Sequence, residues 1–193
     1  MKKFELTNEF ITNMFGTKLF RIRALVEFGD VEAGELGGYV EKESNLGHDD
    51  NAWVSGNAWV YGNARVYGNA RVYGNAWVSG NAWVYGNARV YGNAWVYGNA
   101  QVSGDERVCG DGDYADAHGF GSVNRTTTFF RLKDGGVGVR CGCFYGTLAQ
   151  FRDKIRETHG ETKKAQEYLM LADLMELRFE EDENEVGNRK YVE

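Results

Sequence analysis

The sequence predicts a mainly β protein whose centre is a parallel β-solenoid, and three observations support this fold class. Residues 51–104 repeat the hexad Asn-Ala-x-Val-(Ser/Tyr)-Gly nine times without an insertion, and a fixed short period of this kind is typical of a solenoid. The chain contains no Pro, so every turn residue keeps an N–H group that can bond to the next coil. Residues 1–50 and 120–193 differ from the hexads in composition, which predicts an N-terminal cap and a small C-terminal domain.

Residues 1–50 are expected to cover the first coil, because a stacked solenoid otherwise exposes an unpaired sheet at its end. Within this cap, an alternating pattern predicts a half-buried strand. The residues expected to share its buried face are Phe20, Ile22, Ala24, Val26 and Phe28. Residues 34–40 are rich in Gly, and they predict a turn-rich lead-in to the first coil.

Each hexad predicts one short strand and one bend, and residues 51–119 are assigned to the solenoid. Ala and Val are two positions apart, so their side chains point the same way in an extended strand and fill the interior. The residue between them points outward, and Gly-Asn forms the bend. The tenth hexad, 105–110, keeps Val108 but has Glu106 where Ala belongs, so the regular solenoid is expected to fray there.

Residues 120–193 predict a ββαα domain with an acidic tail. A β-hairpin is predicted from two alternating runs on either side of a turn at Asp134-Gly135-Gly136. The runs are Thr128, Phe130 and Leu132, then Val137, Val139, Cys141 and Cys143. Two amphipathic helices follow, the first capped by Thr147 with Gln150 and ended by Gly160. Their predicted buried stripes are Leu148, Phe151 and Ile155, then Ala165, Tyr168, Leu169, Ala172, Met175 and Phe179. The acidic stretch 180–193 is expected to fray.

The residues also resemble a known family. Residues 72–77, Val-Tyr-Gly-Asn-Ala-Trp, resemble the hexapeptide repeat, which implies a left-handed parallel β-helix with three sides per coil and hence three regular coils. Residues 33–40 resemble the N-terminus of bacterial hexapeptide-repeat proteins labelled as transferases. Residues 126–130, 141–144 and 158–160 resemble the tail of hexapeptide-repeat proteins carried by prophages of Gram-positive bacteria. That resemblance implies a prophage origin and, as a purpose, interference with host defence.

Charge, cysteine content and hydropathy narrow the class of protein. The net charge is −6, but the nine hexads contain three arginines and no acid, so the flanks carry −9. An acidic chain of this kind is not expected to bind nucleic acid through a basic surface. Three cysteines are too few for a disulfide scaffold, and no apolar run approaches membrane-spanning length. The expected location is the cytoplasm of the bacterial host, with no membrane partner.

The histidines and cysteines suggest two kinds of site, an acyltransferase active site and a metal site. The hexapeptide family implies an acyltransferase that binds acyl-coenzyme A between neighbouring solenoids of a trimer and uses a His as general base. His118 is the best candidate, with His48 and His159 the other histidines. Because the unbroken hexads leave no extruded loop to build a site, we expect no catalysis, and this enzyme is the alternative. Cys109, Cys141, Cys143 and His159 lack zinc-site spacing, so Cys141 and Cys143 are expected to pack in the core and no metal is expected.

The outward hexad positions are the unusual feature of the chain. With three hexads per coil, every third hexad stacks on one side, which predicts three columns. These columns are Trp53, Arg71 and Arg89; Trp59, Trp77 and Trp95; and Arg65, Trp83 and Gln101. Tyr and Ser, including Tyr73 and Tyr91, lie beside them. Coils are spaced at about 4.8 Å, so the Trp59-Trp77-Trp95 column is predicted to be a stack.

We therefore expect a non-catalytic binding and assembly protein, acting through its aromatic and arginine sides. Large exposed aromatic surfaces mark interaction sites, and Trp, Tyr and Arg dominate binding hot spots. The expected partners are further copies of the chain in a dimer or trimer, together with a host protein or a small planar or anionic ligand. The predicted binding residues are Trp53, Trp59, Trp77, Trp83, Trp95, Arg65, Arg71, Arg89, Tyr73 and Tyr91. Two alternatives stay open, the acyltransferase and a purely structural assembly module in which the aromatic columns only stabilise the fold.

Overall fold

A computed structural model describes residues 1–104, 106–110, 113–120, 125–132 and 135–180. It contains an N-terminal antiparallel sheet, a parallel β-solenoid and a C-terminal antiparallel sheet that carries two helices. Two hydrophobic cores correspond to this division, one inside the solenoid and its cap and one between the C-terminal sheet and the helices. The mainly β solenoid fold class predicted from the hexads is confirmed. The left-handed coiling of the β-helix, which the resemblance implies, stays a prediction.

The N-terminal cap is a three-stranded meander that extends one side of the solenoid. Its strands are β1 (Phe4–Thr12), β2 (Lys18–Ala24) and β3 (Leu36–Val40), followed by a short 3-10 helix at Glu43–Asn45. Strand β3 pairs in parallel with the solenoid, Tyr39 opposite Trp59. The predicted strand is present but ends at Ala24, because Phe28 turns back to exchange backbone hydrogen bonds with Val31. Strand β1 was not predicted, since its polar residues hide the alternation.

The hexads form ten two-residue strands. These are β4 (Trp53–Val54), β5 (Trp59–Val60), β6 (Arg65–Val66), β7 (Arg71–Val72), β8 (Trp77–Val78), β9 (Trp83–Val84), β10 (Arg89–Val90), β11 (Trp95–Val96), β12 (Gln101–Val102) and β13 (Arg107–Val108). Every third strand pairs in parallel register, for example Trp59 with Trp77. The prediction of three hexads per coil and of three stacked columns is therefore confirmed, and the Ala and Val side chains fill the interior.

The bends between the strands stack as tightly as the strands. Gly80 adopts a φ of 67°, and a Cβ there would lie 2.9 Å from the backbone N of Gly98, so only glycine fits. The Asn side chains form hydrogen-bonded ladders, such as Asn63 to Asn81 and Asn81 to Asn99, each at 3.1 Å. The corner positions therefore hold successive coils in one register.

The tenth hexad extends the solenoid by one more strand, which corrects the predicted fraying. Strand β13 pairs with β10, and Val108 is fully buried like the valines below it. Glu106 occupies the interior position of Ala and is 1% exposed. The strand persists because the Glu106 carboxyl finds a backbone donor inside the coil, the N–H of Ser103, at 2.7 Å.

The C-terminal sheet is antiparallel in sequence order. Its strands are β14 (Tyr114–Phe120), β15 (Arg125–Arg131), β16 (Val137–Cys141) and β17 (Phe144–Thr147). Residues 114–119, which the sequence analysis grouped with the solenoid, lie in β14 and pair with β15. The β15–β16 hairpin is confirmed. Strands β14 and β17 were not predicted, because β14 lacks a clear apolar alternation and β17 has only four residues.

Two helices pack on this sheet, α1 (Leu148–His159) and α2 (Lys163–Phe179). The capping box of Thr147 and Gln150 is confirmed, as are the predicted buried stripes, except that Leu169 is only partly buried. Cys143 is exposed in the turn after β16, so its predicted burial is wrong, whereas Cys141 packs against the core. Asp134 and the tail beyond Glu180 lie outside the described ranges. Neither helix of the described chain is long and apolar enough to span a membrane.

Candidate functional site

The solenoid presents three sides, and the predicted binding residues divide among them. The tryptophan side consists of β5, β8 and β11; the arginine side of β4, β7, β10 and β13; and the mixed side of β6, β9 and β12. Because each strand contributes one outward residue at its first position, the side chains on one side form a single column. The three columns differ in the size and charge of their side chains.

The tryptophan side is a continuous aromatic stack. The rings of Trp59 and Trp77 lie 4.4 Å apart at 6°, and those of Trp77 and Trp95 lie 4.7 Å apart at 7°. Trp59 and Trp77 are half-buried by their neighbours, whereas Trp95 is 47% exposed and the adjacent Tyr97 is 54% exposed. The predicted stack is thus present, and its accessible area increases toward the C-terminal end.

A buried tyrosine extends the column, in backbone register, into the N-terminal cap. Tyr39 lies in register with Trp59, and the guanidinium of Arg21 lies 5.2 Å from the centre of its ring. The Tyr39 hydroxyl donates to Glu9 Oε1 and accepts from Arg21 Nη1, each at 3.0 Å. Tyr39 was not predicted to belong to the column, although Tyr39-Val40 repeats the aromatic-valine order of Trp59-Val60. The cap therefore fixes the first ring of the column.

The C-terminal end of the tryptophan side borders a cavity of about 340 Å³. Its lining residues include Trp95, Tyr97, Tyr114, Asp116, Met175 and Arg178. Tyr114 donates a 3.0 Å hydrogen bond to Asp116 Oδ1, and burial, followed by the Asp116 charge, raises the pKa of the Tyr114 phenol. The Tyr114 phenol is therefore neutral and fixed beside the Asp116 carboxylate, while Trp95 and Tyr97 form the aromatic side of the cavity.

The arginine side differs from its prediction at its first residue. Trp53 is only 2% exposed because Phe4 and Phe28 of the cap cover it, with ring centres at 6.5 and 5.4 Å. Trp53 is therefore a core residue, and its predicted contact with a partner is corrected. The column above it consists of half-buried Arg71 and exposed Arg89 and Arg107, in register.

Two aromatic rings and one carboxylate border the arginine column. Tyr73 and Tyr91 stack at 5.1 Å. Burial, followed by the neighbouring Cys109, raises the pKa of Tyr91 to about 12. Asp30 forms an ion pair with Arg71 Nη2. Burial, followed by the charge of Arg89, lowers the pKa of Arg71. Neither Asp30 nor Arg107 was predicted as a site residue. Asp30 lies in an irregular loop, and the hexad that contains Arg107 departs from the repeat.

The mixed side is partly covered by the C-terminal domain. Arg140 donates to Gln101 Oε1 at 2.8 Å and to Ser103 Oγ at 3.0 Å, and it lies over the ring of Tyr85. Trp83 is 41% exposed, and Arg65 is also exposed. This side therefore presents one exposed tryptophan, packed edge-on against Tyr67, which in turn stacks on Tyr85.

The three histidines lie on separate elements. His118 is exposed on β14, with Nδ1 3.2 Å from Thr126 Oγ1. His48 stacks on Phe4 in the cap, and His159 stacks on Tyr168 between the helices. Within the described ranges no group of three or more His, Cys, Asp or Glu side chains is placed to hold a metal ion. The three histidines therefore do not form a common site.

Comparison with known families agrees with the repeat. The family model described as YdcK beta solenoid repeat matches residues 58–72, 64–80, 70–86 and 82–98. The comparison with curated proteins gave no match. The matched segments lie within the hexads, so they support a repeat β-solenoid protein and do not extend to the cap or to the C-terminal domain.

Proposed function

We propose that the protein is a non-catalytic β-solenoid binding protein that contacts a protein partner, in the simplest case a second copy of itself, through the tryptophan side. The observation that carries the proposal is the Trp59-Trp77-Trp95 stack, which ends in an exposed ring. Trp and Tyr dominate the energetics of protein interfaces because they bury large areas at a low cost in conformational entropy.

Stabilisation of the coil does not account for the whole tryptophan side. The rings of Trp59 and Trp77 stack on each other within one molecule, so stabilisation of the coil uses only the ring faces that lie along the column. The outer edges of the column still face solvent, and Trp95 with Tyr97 continues this surface to β11, the last strand of this side. Contiguous aromatic surfaces of this kind are typical of interaction sites in soluble proteins.

The charge pattern of the tryptophan side favours a protein partner. Its three hexads, 57–62, 75–80 and 93–98, contain no charged residue. Burying this side against a partner therefore desolvates no ion, which would otherwise weaken the interface. Because the side is flat and in strict register, two copies can meet on it through a twofold axis, the commonest symmetry of oligomers.

Mass measurement by light scattering tests the proposal. We expect the wild type to be a dimer or trimer, and a W59T/W77T/W95T variant to be a monomer with an unchanged far-UV circular dichroism spectrum. The matched control is M170Q/L174Q/L177Q, which removes three exposed apolar side chains of α2 and should keep the wild-type mass. A monomeric wild type would contradict the proposal, as would an oligomeric tryptophan variant.

The finer part of the proposal is capture of a host protein in the bacterial cytoplasm by a prophage-encoded chain that counters host defence. The resemblance of residues 126–130, 141–144 and 158–160 to prophage-borne proteins supports it. Proteins from a bacterial lysate that bind immobilised wild type, but not the W59T/W77T/W95T variant, would support this part. An oligomer that retains nothing would favour the purely structural assembly module.

The acyltransferase alternative is tested separately by titration with acetyl-coenzyme A. The alternative requires binding by the wild type and loss of turnover, with binding intact, in His118→Ala. We expect no binding, because His118 lies on an exposed strand and, within the described ranges, the one hydrogen-bond partner of its ring is Thr126.

A further inference from the structure

The arginine side places three like charges directly above one another. Arg71 lies opposite Arg89, and Arg89 lies opposite Arg107, in parallel register. Neighbouring strands are about 4.8 Å apart, and like charges in direct register destabilise a sheet. Among the described residues no carboxylate forms an ion pair with Arg89 or Arg107. The repeat therefore maintains an unfavourable arrangement that a bound anion would neutralise.

The carboxylate of Asp30 is an oxyanion that already binds one arginine of this column. It forms an ion pair with Arg71 at the N-terminal end of the column. The Asp30 side chain is 79% exposed, so moving away from Arg71 would cost it little buried contact. Asp30 thus occupies one guanidinium as an internal oxyanion and leaves the other two open to solvent.

The column lies in a groove that can hold a small molecule. The groove has a volume of about 760 Å³, and its lining includes the three arginines with Asp30, Asn69 and Tyr73. Asn69 is fixed by a 3.1 Å hydrogen bond to Asn87, and Tyr73 is fixed by its stack on Tyr91. The groove therefore has an ordered polar wall and an ordered aromatic wall on either side of a row of cations.

We propose that this groove is a binding site for a small oligophosphate, with Arg89 and Arg107 as the principal ligands and Asp30 as the internal competitor at Arg71. Guanidinium groups match phosphate oxygens in shape and charge. A chain of phosphoryl groups presents several anionic centres at short spacing, which suits cations one strand apart. The net charge of −6 disfavours a long polyanion such as nucleic acid. The proposal is independent of the tryptophan side.

Isothermal titration with sodium tripolyphosphate tests the site. We expect saturable binding by the wild type, and loss of about tenfold in affinity for each arginine removed, hence about a hundredfold in R89Q/R107Q. The matched control is R23Q/R156Q, which removes the same charge from two exposed arginines elsewhere and should bind within about twofold of wild type. Asp30→Asn should bind more tightly than wild type, because the internal competitor is gone.

Three results would overturn the proposal. They are the absence of wild-type binding at millimolar tripolyphosphate, an equal loss in R23Q/R156Q, and wild-type affinity in R89Q/R107Q. Circular dichroism establishes that each variant is folded. Titration with ATP distinguishes the source of the phosphates: tighter binding than tripolyphosphate would indicate a nucleotide whose base contacts Tyr73, and weaker binding would indicate a free oligophosphate.

Discussion

Glu106 accepts a 2.7 Å hydrogen bond from the backbone N–H of Ser103 inside the last layer of the solenoid. The residue stands where the nine regular hexads have Ala, and its second carboxyl oxygen has no hydrogen-bond partner in the described chain. Burial raises the pKa of Glu106 from 4.5 to about 9, while the Ser103 hydrogen bond and the charge of Arg140 oppose that rise. The side chain is therefore protonated at neutral pH.

This protonation makes stability depend on pH. Between pH 4.5 and about 9, the folded chain holds a proton that the unfolded chain releases, so the free energy of unfolding falls as pH rises. The slope is at most about 1.4 kcal/mol per pH unit. Urea unfolding at pH 5, 6, 7 and 8 should show this decline in the wild type and a flatter profile in Glu106→Gln. The exposed Glu157→Gln should follow the wild type, and parallel profiles for wild type and Glu106→Gln would refute the assignment.

At the N-terminal end of the solenoid, Lys3 supplies hydrogen bonds that an earlier strand would otherwise donate. Within the coils, the Ala carbonyls accept from an earlier strand, as Ala70 does from the Trp53 N–H. Strand β4 is the first of its sheet, and the buried Lys3 Nζ donates instead to the carbonyls of Ala52 and Asp50, each at 2.8 Å. Burial is the main cause that lowers the pKa of Lys3, so the ammonium depends on these acceptors.

Replacing Lys3 should therefore weaken the N-terminal end. Lys3→Met keeps the length of the side chain but leaves buried carbonyls unpaired, so we expect a loss of about 2–4 kcal/mol in the free energy of unfolding. Lys2→Met removes only an exposed ion pair with Glu43 and should cost less than about 1 kcal/mol. Chemical denaturation measures both. Equal effects of the two substitutions would show that Lys3 does not cap the coil.

Periodicity determines what could be predicted from the sequence. Residues 18 apart on neighbouring coils are spatial neighbours throughout the hexads, so the stack of Trp59 on Trp77 follows from the repeat alone. The cap lacks a period, and the burial of Trp53, the role of Lys3 and the pairing of Asp30 with Arg71 all depend on its irregular loops. Such long-range contacts leave no local signal in the sequence.

The same reasoning separates the correct and incorrect predictions at the C-terminal end. The helix starting after Thr147 has local signals, a capping box and an apolar stripe, and it was predicted to the residue. Cys143 continues the alternation of β16, but the chain turns at Gly142, where φ is 60°, and Cys143 becomes exposed. Glu106 departs from the repeat, and only the position of Ser103 shows why the strand tolerates it.

The position of each ring in the tryptophan stack predicts its contribution to stability. Trp77 contacts rings on both sides, whereas Trp95 is the last ring of the column and stacks on Trp77. An aromatic pair contributes about 0.5–1.5 kcal/mol beyond its buried area. Trp77→Thr should therefore cost more than Trp95→Thr by about that amount. Urea denaturation of monomeric samples at low concentration measures the difference, and an equal or reversed order would mean that the stack adds little to stability.

The arginine column predicts a substitution that stabilises the fold. Arg89 lies between Arg71 and Arg107, so Arg89→Gln removes repulsion on both sides and should raise the free energy of unfolding by about 0.3–1 kcal/mol in phosphate-free buffer. The gain should shrink at 1 M NaCl, because salt screens exposed charges. Arg65→Gln is the control, since the register neighbour of Arg65 is Trp83 and not an arginine, and no gain is expected. A stability loss in Arg89→Gln would show that its stem packing outweighs the repulsion, and it would remove the argument that the column is kept against an electrostatic cost.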